Sequence, residues 1–83
     1  MKVTNAKQLS AYLKDARLNE QLSQSKVASK VGIRQDTVSS FELNPDSTKL
    51  ETLFKILSAL NLELDIKVRN QELVNEQEWK EEW

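Results

Sequence analysis

Leu22-Ser-Gln-Ser-Lys-Val-Ala-Ser-Lys-Val-Gly-Ile-Arg-Gln-Asp-Thr-Val-Ser-Ser-Phe-Glu42 decides the architecture of this 83-residue chain. The stretch reads as two short helices separated by one tight turn. Ser23 stands at an N-cap position, where its side chain accepts from a free amide of the first turn. Leu22 before the cap and Val27 at the fourth helical position are spaced for a hydrophobic staple. Val27, Ala28 and Val31 give the first of the two helices a buried face, and the small Ala28 allows another helix to cross closely. Gly32 stops that helix where a left-handed backbone costs least. Ile33 is apolar in the turn and is expected to plug the space between the helices. The next helix should span Gln35 to Leu43, with Val38 and Phe41 pointing inward. Asp36, Ser39 and Ser40 then face outward, with Gln35 on the flank at the exposed N-terminal end. Short polar side chains let a helix sit deep in a groove, although an ordinary amphipathic helix accounts for them as well.

Upstream, Asn5 is a candidate N-cap, and Gln8 three residues later completes a capping-box pattern. Leu9, Leu13 and Ala16, joined by Tyr12, recur at helical spacing over about residues 6–20. Lys7, Lys14, Asp15 and Arg17 read as lying largely off that face. This helix is a scaffold, from which Arg17 or Lys14 could reach a phosphate. Asn19-Glu20-Gln21 ends it without a glycine, so the boundary is soft. Downstream, Asn44-Pro45-Asp46-Ser47 is a turn, since proline fixes its own φ and disfavours helix for the residue before it. Thr48 and Glu51 form a second capping-box pattern and open a fourth helix. Its apolar residues Leu50, Leu53, Phe54, Ile56, Leu57 and Leu60 make a face too broad for one neighbour. One side is expected to cover the helix pair and the other a second subunit; a plain central core helix is the alternative.

From Leu62 the period changes. Leu62-Glu63-Leu64-Asp65-Ile66-Lys67-Val68-Arg69 alternates apolar and charged residues without exception, the pattern of a half-buried strand. A lone strand leaves its backbone donors and acceptors unpaired. With no second strand in the sequence, the simplest mate is the same strand of a twin subunit, with Leu62, Leu64, Ile66 and Val68 as the dimerisation residues. Residues 70–83 are acidic and polar and are expected to be disordered when alone. Trp79 and Trp83 are unusual in such a tail and suit a partner-binding segment, because tryptophan is a preferred interface anchor. An unused terminus is the bland alternative.

Composition narrows the function. The chain has neither cysteine nor histidine, which removes disulfides, thiolate metal sites and the usual general base. Carboxylate catalysis finds no supporting spacing, so an enzyme is the least favoured class and no cofactor or metal is expected. No apolar run approaches the roughly 18 residues of a membrane span, and no signal-peptide pattern opens the sequence. A soluble cytoplasmic protein is expected. The formal charge of −1 conceals an asymmetry. Residues 1–69 hold 11 Lys and Arg against 8 Asp and Glu, whereas residues 70–83 hold Lys80 against five glutamates. The helical part is thus mildly basic and the tail acidic, which permits nucleic-acid binding without establishing it.

Leu22-Ser23-Gln24, Val27-Ala28, Gly32-Ile33, Gln35, Val38-Ser39 and Phe41-Glu42 together resemble the phage-repressor (Cro/C1, or XRE) helix-turn-helix family. There one glutamine opens the second helix and another the third, eleven residues apart, as Gln24 and Gln35 are. Asn44-Pro45-Asp46, Leu50, Leu53 to Leu57, Leu60 and the terminal Glu-Trp extend the likeness to HipB-type antitoxins over most of the chain. The resemblance implies a mainly α, four- to five-helix lambda-repressor-like domain over residues 1–61. It also implies one C-terminal β-strand, 62–69, that pairs across a homodimer. Function follows as a DNA-binding antitoxin and autorepressor acting on inverted-repeat operator DNA, with a HipA-like kinase-fold toxin as second partner. The alternatives are a phage-like repressor without a toxin and an interaction adaptor that no longer binds DNA.

Physical chemistry supports the roles this carries over. The Gln35 amide donates and accepts at once, which matches the N7 acceptor and N6 donor of adenine in the major groove. Arg34 beside it can address guanine or a phosphate, and Thr37 and Ser39 can touch base edges or a thymine methyl. Gln24, aided by the free amides and positive end of its helix, suits a phosphate, as do Ser25 and Ser40. Asp36 either stabilises its helix N-terminus or accepts from cytosine N4, while repelling nearby phosphates. Arg34 departs from the short polar residue frequent at that cap in the family. Both leave the base sequence open.

Overall fold

A computed structural model describes residues 2–69. Four α-helices, α1 (Ala6–Asn19), α2 (Gln24–Val31), α3 (Gln35–Leu43) and α4 (Leu50–Ala59), follow one another, with a single 3-10 turn at Pro45–Ser47. The starts of α1 and α2 are capped by side chains. Asn5 accepts from the amide of Gln8 at 2.8 Å, and Ser23 accepts from the amide of Lys26 at 3.0 Å. The Gln8 carboxamide reaches back to the amide of Thr4 at 2.8 Å, one residue beyond the capping-box partner expected of it.

Three helices end in the same way. Gln21, Gly32 and Asn61 adopt left-handed conformations with φ of 59°, 73° and 59°. The residue after each donates its amide five positions back: Leu22 to Arg17 at 3.1 Å, Ile33 to Ala28 at 3.0 Å, Leu62 to Leu57 at 2.8 Å. This is the Schellman arrangement, in which an apolar residue just past the cap folds onto the helix. Leu22, Ile33 and Leu62 are indeed half-buried against the core, so Ile33 does plug the turn. The end of α1, expected to be soft, is a defined cap built without glycine.

The core gathers Leu13 from α1, Val27 and Ala28 from α2, Val38 and Phe41 from α3, and Leu53, Ile56, Leu57, Ala59 and Leu60 from α4 and its cap. Full burial of such side chains contributes about 1.5–3 kcal/mol each, and α4 supplies the largest share. α4 packs mainly on α2, with α1 and the 3-10 turn closing over α3.

Two local expectations are corrected. Thr48 does not cap α4: it closes the 3-10 turn with its amide on the Pro45 carbonyl at 3.1 Å. Lys49, still extended, takes the cap position without a side-chain bond. Arg17 does not lie off the inner face of α1, for Ser10, Leu13 and Arg17 are its buried residues. Residues 62–68 carry no regular secondary structure, and no strand occurs among the described residues. Within one chain Leu64 is exposed and Ile66 is 93% exposed. The outer flank of α4 is also bare, with Leu50 71% and Phe54 52% exposed.

Candidate nucleic-acid interface

α2 and α3 meet through Val27 and Ala28 on one side and Val38 and Phe41 on the other, all buried. The three residues Gly32, Ile33 and Arg34 connect them. Arg34 is extended at φ −85° and ψ 151° and makes no side-chain cap bond. Its carbonyl instead starts α3, accepting from Thr37 at 3.0 Å and Val38 at 3.4 Å. Arg34, Gln35 and Asp36 are all exposed at the leading end of α3. Ser40 is exposed further along, whereas Thr37 and Ser39 are half-buried and have less reach. At the leading end of α2, Ser25 is exposed and Gln24 half-buried.

A polar brace lies beneath this surface. Arg17 on α1 donates to both carboxylate oxygens of Glu42 on α3, Nε to Oε2 at 2.7 Å and Nη2 to Oε1 at 3.1 Å. Its Nη1 also donates to the Leu22 carbonyl at 2.8 Å. Gln24 completes the set by donating Nε2 to Glu42 Oε1 at 2.9 Å. The Arg17 and Glu42 side chains are only 9% and 6% exposed. Fork-to-fork geometry with further bonds on both partners is what a buried ion pair requires. No buried side-chain nitrogen or oxygen lacks a partner among the described residues.

This brace corrects the idea that Arg17 could reach a phosphate, because its guanidinium is consumed inside the protein. It also engages one donor of Gln24, the residue expected to take a phosphate. The sequence pattern includes Glu42 without assigning it a role. The available signal was the placement of Arg17 four residues after Leu13, on the same helical face, whereas Asp15, the one acid of α1, is exposed on another face. Trp79 and Trp83, expected to bind a partner, lie outside the described residues.

Residues 13–67 match the helix-turn-helix family. Antitoxin HipB of Escherichia coli O6:H1 is 41% identical, with 94% of this chain and 88% of that relative covered. Antitoxin HipB of Escherichia coli K12 is 43% identical over 78% of this chain and 74% of its own. The chain belongs to the HipB antitoxin family of helix-turn-helix proteins. Among solved structures, a chain of a HipA-HipB-O2-O3 complex superposes with a TM-score of 0.81 at 41% identity, covering 82% of this chain and 96% of that chain. A HipB-O4 20mer complex gives the same values. The buried core, Leu13 to Leu60, and the brace residues Arg17, Leu22, Gln24 and Glu42 all lie within the matched residues 13–67.

Proposed function

We propose that the protein is a dimeric, sequence-specific DNA-binding antitoxin and transcriptional autorepressor that neutralises a HipA-like kinase-fold toxin in the cytoplasm. The observation that carries the reading is the exposed leading end of α3, with Arg34, Gln35 and Asp36 held outward by buried Val38 and Phe41. Gln35 and Arg34 read base edges in the major groove, Asp36, Thr37 and Ser39 adjoin them, and Gln24, Ser25 and Ser40 take phosphates. Direct readout needs such a combination of donors, acceptors and backbone contacts. HipB relatives solved with HipA and as a 20mer complex support both partners.

The dimer forms by antiparallel pairing of residues 62–69, which covers Leu62, Leu64, Ile66 and Val68. The bare flank of α4 joins the same interface. Residues 70–83 form a separate toxin-binding tail with Trp79 and Trp83 as anchors. A gel shift on the DNA upstream of the protein's own reading frame tests the central part. Wild type and a chain lacking residues 70–83 should both shift this DNA specifically, and Gln35→Ala should lose that specific shift by the equivalent of about 1–3 kcal/mol. No shift at low salt would leave only the adaptor reading. Pull-down of a HipA-like kinase with and without the tail tests the second partner.

A further inference from the structure

Gln24 sits at the start of α2, half-buried, and its carboxamide is the one side chain that touches both the brace and the proposed DNA-facing surface. A carboxamide can be turned over to exchange its oxygen and nitrogen, and the choice is set by its partners. Glu42 presents only acceptors, so an oxygen of Gln24 placed against it would be repelled, whereas Nε2 at 2.9 Å is bound. Glu42 is itself immobilised by two bonds from Arg17. Arg17 also cancels its charge, so a phosphate approaching Gln24 meets a neutral pair and not a buried anion.

We infer that Glu42 is a positioning residue for DNA binding: it locks the Gln24 carboxamide in one orientation, leaving the second Nε2 hydrogen for a backbone phosphate. The inference rests on the DNA-binding function proposed above and deepens it. Orientation fixed before binding removes a rotamer cost at association, so the effect appears as affinity. Glu42 is also structural, since it clamps α1 to α3, and any test must separate the two roles.

The test is a double-mutant cycle by fluorescence anisotropy on upstream DNA, using the full chain as wild type, Gln24→Ala, Glu42→Gln and the double variant. Gln24→Ala should weaken binding about ten- to a hundredfold, the range for one charge-assisted hydrogen bond. Glu42→Gln should weaken it about three- to tenfold in wild type, the cost of ordering one freed side chain, but less than twofold when Gln24 is already alanine. Equal factors in both backgrounds would overturn the inference while leaving DNA binding intact. Absence of binding by wild type would remove the DNA reading and the inference with it. Should Glu42→Gln fail to fold, nitrogen-edited NMR of the wild type decides the matter. The Gln24 carboxamide should show one shifted, exchange-protected proton, and two unprotected protons at the positions of a free glutamine would overturn the lock.

Discussion

Gln21 and Gly32 adopt nearly the same left-handed backbone, with φ of 59° and 73°, but only one of them is suited to it. An L-residue there costs roughly 1 kcal/mol that glycine avoids. Gln21→Gly should therefore raise stability by about 0.5–1 kcal/mol in urea unfolding, the extra chain entropy of glycine offsetting part of the gain. Gly32→Ala should lower it by about 1 kcal/mol. A Cβ at Gly32 would meet no heavy atom within 4 Å, so that loss is purely conformational and should leave the α2–α3 packing unchanged. On the proposed surface, Gln35→Ala should cost about 1–3 kcal/mol of specific affinity, the range for a bidentate base contact. Binding to unrelated DNA, which depends on charge, should hardly change. Equal losses on both DNAs would mean that Gln35 supports the fold and not the readout.

Helices were legible where their signals are local. The bounds of α3 follow from Gly32, the Val38 and Phe41 pair, and Pro45, and the structure places α3 at Gln35–Leu43. Asn5 and Ser23 cap as their spacing implies because each bond closes within three residues. The failures have a different origin. Arg17 and Glu42 are 25 residues apart, and no periodicity shows that a cation facing inward from α1 will meet a carboxylate from α3. Thr48 lost its cap because the 3-10 turn claimed it first, a competition between two reasonable local patterns. Gln21 gave no sign of a left-handed cap, since glutamine carries no preference for it. At this scale the core is shared, and Leu13 is the apolar residue that α1 buries fully in it. Leu13 is 1% exposed, and Leu13→Ala should cost about 2–5 kcal/mol. That is comparable with the whole stability of a domain this small. Thermal melts should show a large fall in Tm or no transition.

The whole molecule is incomplete as a single chain. A small domain that leaves Leu50, Phe54, Leu64 and Ile66 exposed gives up burial it needs, and in the proposed dimer a twin subunit restores it. Proline cannot donate to a strand ladder, so Ile66→Pro should yield monomers by sedimentation with the helical signal preserved. A full dimer in that variant would place the interface elsewhere, for instance on the bare flank of α4 alone. In the proposed dimer, two α3 helices related by a two-fold axis would face major grooves about 34 Å apart on one side of the duplex. Footprinting of the DNA upstream of the reading frame tests this most directly. The account predicts two protected patches of related inverted sequence, centred about one helical turn apart or a multiple of it, and both lost with Gln35→Ala. Unprotected DNA at low salt, or uniform protection that Gln35→Ala leaves unchanged, would contradict it.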